Sequence, residues 1–542
     1  MPLRPSSVAR HLTVAAAVAG VAGLAPACVT TQPVDVDATA RLQAAPAGSY
    51  LSGAPLGLDA PEVVNRRDFV YALDFDDASR RLAFVHHVST EMELTLTGLS
   101  PLQPVFQEKL NKSEFDNEDV VIDGDRVLVP SRQGLLRAVS AQDGHKLLEV
   151  SLGEPLLRVA TSPDRVYVGT ADGRVLVFSR ELAFIGEGKV HDDEVRGLAV
   201  LPDGRIVTAS MDGHLEVHTV KPAEKALVRL PVSSLPSGAQ VFLAHVGGQR
   251  AVAAARDARQ PSTVITRAAV KRLGLQAPET GGELPVLTAE GERREPAIVV
   301  GELRLRALSI GGVTAAVCDA CVPAGVELVL GQDVLSRVTL VEDVAAGELV
   351  ARAAVKDDGT PADGAAMLAP GAVTVVTARE VALPGPANDL DVAAGRVLVT
   401  FSHEKAERSY DVHERERKGD FPPPSPQSGA ALVDVDNGAI VRQFVGQHLG
   451  FTVTGALSPD GRTVATGGWD RRVLVWNAET GEVVTERSFA WLIRRVRFSP
   501  DNRLLGVAAW TPVNALNEGD SEPALVLYPL ALSSPTVVTP EP

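Results

Sequence analysis

The stretch Gly446–Glu486 begins GQHLGFTVTGALSPDGRTVATGGWDRRVLVWNAETGE, and its reading decides the fold. A Gly-x-His entry is followed by an apolar strand pattern at Val453, Ala456 and Leu457, then by the tight turn Ser458-Pro459-Asp460-Gly461. A second strand, Thr463 to Thr466, leads through a Gly-Gly-Trp-Asp turn to a third strand ending at Trp476. Pro, Asp and Gly at these turns set the backbone angles that reverse a chain, so short strands fold back on one another as an antiparallel sheet. Such a sheet has two faces and too few residues to cover either, so it must stack on copies of itself.

The stretch resembles a WD-repeat blade, with Trp476-Asn477 where that family usually has Trp-Asp. In the family, a His entering the blade, a Ser or Thr on its second strand, an Asp in the next turn and the Trp form a hydrogen-bonded tetrad. The resemblance places that tetrad on His448, Thr466, Asp470 and Trp476, as structural residues without a catalytic role.

Weaker copies extend in both directions. Phe69–Phe75 with Arg81–Val85 begins the first, and Val120–Ile122 with Val127–Val129 repeats the pattern. A third runs through Leu157–Ala160, Val166–Gly169 and Val175–Phe178. The fourth has His191, Val195–Val200, Ile206–Ser210 and Leu215–His218, with His218 where the Trp is usual. After a long interruption Leu390–Val392 and Val397–Thr400 start a fifth, which Ala431–Val435 is expected to close across a charged, Pro-rich loop at roughly 404–428. The opening stretch is the sixth, and Ile493–Phe498, Leu504–Ala509 and Ala524–Tyr528 make a seventh. The expected architecture is all-β: a seven-bladed β-propeller with an inserted domain. Blades 1–4 fall at 61–231, the insert at 232–352, a linker at 353–376, blades 5–7 at 377–532 and a tail at 533–542.

A chain of 542 residues exceeds one ordinary core. Its formal net charge of -16 argues against a nucleic-acid partner, which demands clustered Lys and Arg. The N-terminus reads as an export signal over 1–27: Arg4 and Arg10 precede an apolar run from Leu12 to Leu24 that is short for a bilayer span. Leu24-Ala25-Pro26-Ala27-Cys28 is similar to a bacterial lipoprotein processing site, which implies lipid on Cys28, a tether over 28–60 and a place at the cell envelope facing periplasm or exterior. Ala25-x-Ala27 also suits ordinary signal cleavage, which leaves simple secretion as the alternative.

The insert contains Asp257-Ala258-Arg259, then Ser262–Thr266, Ala268–Leu275, Leu308–Gly312 and Leu328–Ser336. This order is similar to the retropepsin-like fold of single-lobe aspartic peptidases, with a β-barrel expected. In that family Asp-Thr-Gly reaches a dimer axis, where two adjacent carboxylates share one proton and activate water. Asp257 falls on the family's Asp, but Ala258 and Arg259 replace its Thr and Gly. A guanidinium there favours a fully ionised Asp257 and opposes the shared proton. The resemblance therefore implies an inactive peptidase-like module, with catalysis by Asp257 in a homodimer as the alternative.

Cys318 and Cys321 are too few for a structural zinc site and read as a small disulfide or two buried thiols. Asp434–Gly438 reads as a turn rather than a cation loop, and the charged run His413–Lys418 as a solvated loop. Phosphate loops, Gly-x-Ser-x-Gly and His-Glu-x-x-His are not found, and no cofactor or metal is expected. The combined reading is an exported, lipid-anchored propeller that binds a protein or peptide partner.

Overall fold

A computed structural model describes residues 62–65, 69–76, 78–88, 91–111, 117–224, 227–236, 238–247, 250–278, 281–402, 427–489, 492–510 and 524–530. The export segment, Cys28, the tether, the run His413–Lys418 and the tail from 533 lie outside the described residues.

The turns do what their residues dictate. Ser458 Oγ donates to Asp460 at 2.6 Å and accepts from the Thr463 amide at 2.9 Å, while Gly461 supplies a φ of +71°. The same Ser–Asp lock recurs at Ser162–Asp164 (2.8 Å) and Ser499–Asp501 (2.6 Å).

Between such turns the chain forms four-stranded antiparallel sheets in succession. Phe69–Asp76, Arg81–Val88, Glu91–Leu99 and Leu102–Asn111 make the first, and Val121–Asp123, Arg126–Pro130, Leu135–Ser140 and Lys146–Ser151 the second. Leu156–Thr161, Arg165–Thr170, Arg174–Ser179 and Phe184–Lys189 follow as the third. The fourth has Val195–Val200, Ile206–Ser210 and His214–Pro222, but its outer strand, Val373–Ala382, arrives only after the insert. Ala387–Ala393, Arg396–Phe401, Gly429–Asp434 and Ala439–Val445 come next, then Thr452–Leu457, Thr463–Gly468, Arg472–Asn477 and Val483–Ser488. Leu492–Phe498, Leu504–Trp510 and Leu525–Pro529 end the series, completed by Glu62–Asn65 from the start of the chain.

The first strand of each sheet lies against the first strand of the next, and Leu492–Phe498 returns to Phe69–Asp76. Apolar clusters fill the spaces between consecutive sheets. Leu73, Leu82 and Phe84 meet Leu525 and Leu527 where the last sheet meets the first. Carboxylates also stitch inner strands together: Asp74 accepts from the Ile122 amide (2.8 Å), Asp119 from Val159 (2.9 Å) and Asp391 from Leu457 (2.8 Å).

Several boundaries differ from the sequence expectation. Gly429–Asp434 is the third strand of its sheet and Ala439–Val445 closes it, instead of Ala431–Val435. Val373–Ala382 begins inside the expected linker, and Leu227–Pro231, placed before the expected insert start at 232, pairs with Glu348–Ala353. The reason is edge pairing. His214–Pro222 would expose an unpaired edge, and the chain fills it after leaving the insert near where it entered. Val373–Ala382 also touches Phe184–Lys189 in parallel, which Gly186 permits: a Cβ there would lie 1.9 Å from the Val373 carbonyl oxygen.

In the insert, Gln240–Val246, Arg250–Arg256, Leu328–Leu330, Val264–Ile265, Leu308–Val317 and Gly291–Leu305 pair in that order. Gln240–Val246 also pairs with Gly291–Leu305, so the sheet closes on itself. The insert shares one apolar core with the second and third sheets, where Leu136, Leu152 and Phe184 join Phe242, Leu303 and Leu308. Over that core Arg306, 4% exposed, bonds Glu154 and Glu187, and Arg174 bonds Glu348. Burial pushes the Glu154 carboxyl up to about 7 despite Arg306. Replacing Arg306 by Met should leave buried Glu154 with only Arg174, at 3.6 Å, and half-buried Glu187 without an ion-pair partner among the described residues. The expected loss of unfolding free energy is about 3–5 kcal/mol in urea titration; an unchanged midpoint would mean that this contact does not hold the insert in place.

Candidate functional site

The four residues assigned to a tetrad converge. His448 Nδ1 lies 3.1 Å from Asp470, its Nε2 lies 2.8 Å from Thr466 Oγ1, and Trp476 Nε1 donates to the same hydroxyl at 2.8 Å. All four side chains are buried. The proton count closes: indole N–H, threonine O–H and imidazole N–H supply three donors for three links.

The fourth sheet carries a longer version. His191 spans Asp212 (3.0 Å) and Thr208 (2.7 Å), and His218 bonds Thr208 through Nε2 at 2.7 Å. Having a second ring nitrogen where indole has none, His218 continues to Thr377 (3.2 Å), which donates to Glu216 at 2.7 Å. Burial holds the His218 imidazole down at about 3, and the nearby His191 pushes the same way. Burial pushes Asp212 up, but His191 and backbone amides outweigh it and keep that carboxyl below its ordinary range. Burial raises the Glu216 carboxyl, which accepts the last hydrogen bond of the chain. Ligand atoms of His191, Glu216 and His218 lie within 4.8 Å of one another, as a metal site requires. Every ring nitrogen already has a partner, however, and the hydrogen-bonded chain accounts for the grouping.

In the insert, Asp257 follows Arg250–Arg256 directly. Among the described residues both its oxygens are held by Arg259, whose Nε and Nη2 donate at 3.0 and 2.9 Å and whose amide donates at 3.0 Å. This side-chain fork, outweighing burial, keeps the Asp257 carboxyl below its ordinary value. Asp333, from the Leu-Gly-x-Asp block, accepts from the Thr263 amide (2.7 Å) and hydroxyl (2.8 Å), tying the turn Gln332–Leu335 to Val264–Ile265. Cys318 and Cys321 form a disulfide with Cα atoms 5.4 Å apart. Asp434 spends both oxygens inside its own turn, on the Asp436 amide and the Asn437 side chain.

Sequence reading missed a charged cluster at the starts of the inner strands. Buried Asp389 accepts from Arg495 (2.7 Å), Arg497 (3.0 Å) and Thr454 (2.8 Å). Burial pushes its carboxyl up, but Arg495 and Arg497 overcome this and hold it well below the carboxylate range. Glu118 pairs with Arg132 (2.9 Å) and Arg196 (3.0 Å). Its backbone carbonyl accepts from Arg495 at 3.0 Å and Arg158 at 3.4 Å, so residues from distant parts of the chain meet on one oxygen. The available signal was a charge within the first four positions of strands that otherwise read as largely apolar: Arg158, Arg196, Asp389 and Arg495.

A model of the WD domain, G-beta repeat, matches residues 184–218 and 440–477. One described as outer membrane protein assembly factor BamB matches residues 103–185. Curated relatives include eukaryotic translation initiation factor 3 subunit I of Aspergillus terreus, 44% identical over 61 residues, covering 11% of this chain and 18% of that protein. The protein of that name from Phaeosphaeria nodorum is 40% identical over 78 residues, covering 14% and 23%. The chain therefore spans about a fifth of the curated relatives it matches. Among solved structures, one of the mitotic checkpoint complex aligns over 90% of this chain and 99% of that one, at 9% identity and a TM-score of 0.46. The computationally designed Ika8 protein aligns over 86% and 98%, at 12% identity and a TM-score of 0.40. The chain is all-β and carries WD-type propeller repeats.

Glu216→Gln tests the raised carboxyl, because its amide fills the same place without ionising. Since the folded carboxyl sits above its unfolded value, ionisation favours the unfolded chain as pH rises past about 4.5. The variant should match wild type near pH 4 and exceed it in Tm at pH 8; a gain at low pH only would refute the raised carboxyl.

Proposed function

We propose that this chain is an exported, lipid-anchored scaffold: a seven-bladed WD-type propeller that binds a protein or peptide partner and carries a retropepsin-like insert without peptidase activity. Seven inner strands follow one another around the ring, and closure of the last sheet by Glu62–Asn65 supports this count. Two features of the insert support a retropepsin-like origin. Its sheet closes on itself, and Leu328–Leu330 lies between Arg250–Arg256 and Val264–Ile265, parallel to one and antiparallel to the other.

The observation that carries the inactive reading is the Arg259 fork on Asp257. A shared proton requires a carboxylate that gives up part of its charge, whereas a bidentate guanidinium stabilises the full charge. The envelope location draws support from the match to the BamB model, the factor's printed name being that of an outer membrane protein assembly factor. Lipid on Cys28 and the 28–60 tether follow from the residues around the processing site.

The second reading is an aspartic endopeptidase in which two copies of the insert bring their Asp257 residues together. The Asp257-containing turn, at one end of Arg250–Arg256, favours it to the extent that the side chain remains 28% exposed.

Purified protein assayed on a denatured casein between pH 3.5 and 6 should show no pepstatin-sensitive cleavage, and Asp257→Asn should change nothing. Cleavage that disappears in the Asp257 variant would establish the peptidase reading. Intact-mass analysis of the mature chain should find diacylglycerol on Cys28; an unmodified cysteine would mean secretion without an anchor. Mild crosslinking in envelope fractions should capture a polypeptide on the propeller, and capture of nothing above a propeller-unrelated control would count against the scaffold.

A further inference from the structure

We infer that the ring's mouth, at the end where its inner strands begin, is an oxyanion site centred on Arg494 that receives a carboxylate or phosphate carried by an acidic polypeptide segment. Arg158 is third in Leu156–Thr161, Arg196 second in Val195–Val200, and Arg494 and Arg495 third and fourth in Leu492–Phe498. Arg132 reaches the same place from a turn, through Glu118. Contacts of Arg158, Arg196 and Arg495 with Glu118 draw three sheets of the ring together there.

Each of these arginines except Arg494 has a carboxylate. Arg132 and Arg196 have Glu118 and Glu194, Arg158 has Glu118, and Arg495 has Asp389 and Asp119. Among the described residues Arg494 pairs with none. Its guanidinium lies over the Tyr71 ring, 5.7 Å from the centroid, with its Nε buried and unbonded. The Nε groups of neighbouring Arg196 and Arg495 are likewise buried without a partner. Burial pushes Arg494 down to about 10, and Arg196, Arg495 and Arg132 add repulsion, yet the group remains a cation at neutral pH.

A half-buried guanidinium without a carboxylate among the described residues is costly to keep, and this one sits among other cations. An incoming oxyanion would relieve both terms. The planar fork of donors suits the paired oxygens of a carboxylate or phosphate, and the Nε groups add donors nearby. The chain's net charge of -16 repels a long polyanion such as nucleic acid, which favours a short acidic segment of polypeptide. The polypeptide part rests on the scaffold reading; the arginine cluster does not.

The test is thermal unfolding of the full chain at constant ionic strength, with chloride exchanged for inorganic phosphate or a hexaglutamate peptide. Both should raise wild-type Tm by about 2 °C or more at saturation. Arg494→Gln should raise Tm in chloride alone and abolish the gain from either anion. Arg494→Lys, which keeps charge but loses the fork, should fold like wild type and retain less than half the gain. A phosphate gain without a peptide gain would overturn the polypeptide source while leaving the site. No gain in wild type, or an equal gain in Arg494→Gln, would overturn the site. Crosslinking of a partner in envelope fractions fails or succeeds separately, so loss of the mouth and loss of the scaffold are distinguishable.

Discussion

Exposed sheet faces govern this molecule. Four short strands satisfy their backbone hydrogen bonds within a sheet but leave two apolar faces against water, and only another sheet covers each face efficiently. Each sheet here finds a neighbour on both sides because the series returns on itself. That return places Leu73, Leu82 and Phe84 beside residues more than four hundred positions later. It also explains why the last sheet takes its outer strand from residues 62–65: an edge left open at the seam would weaken the contact that completes the stack.

Closure gathers charge at the axis. Inner strands converge there, and their polar side chains lose water while gaining one another. The amides of Ile122, Val159 and Leu457 find acceptors on carboxylates in or just before the inner strand of the preceding sheet. Those carboxylates do not behave alike. Burial leaves Asp74 up at about 7, whereas Asp389, more deeply enclosed but facing two guanidiniums, is held ionised. Whether a buried acid keeps its charge is set by what the neighbouring sheet places opposite it.

The insert follows the same rule of covered faces. It is not a bead on a linker: its apolar residues continue the core of the second and third sheets, and Arg306, shared by buried Glu154 and half-buried Glu187, lies at their junction. Removing Arg306 would leave two acids without the guanidinium that joins them. A module held this firmly presents the Asp257 turn in a fixed setting, and in that setting the nearest cation belongs to the residue two positions on. Arg259 thus acts on Asp257 within its own turn.

The sequence by itself determined what depends on neighbours within a few tens of residues. Strand length, turn positions, the His448–Thr466–Asp470–Trp476 set and the effect of Arg259 on Asp257 all lie within one repeat or one turn, where spacing dictates contact. His218 was legible as a departure from Trp, but its continuation to Thr377 was not, because the strand bearing Thr377 follows the whole insert. The outer strand of the fourth sheet, the seam strand at 62–65 and the arginine cluster were decided by tertiary structure alone. Each joins residues whose separation along the chain carries no periodic signal, and only stacking of sheets around an axis makes them neighbours.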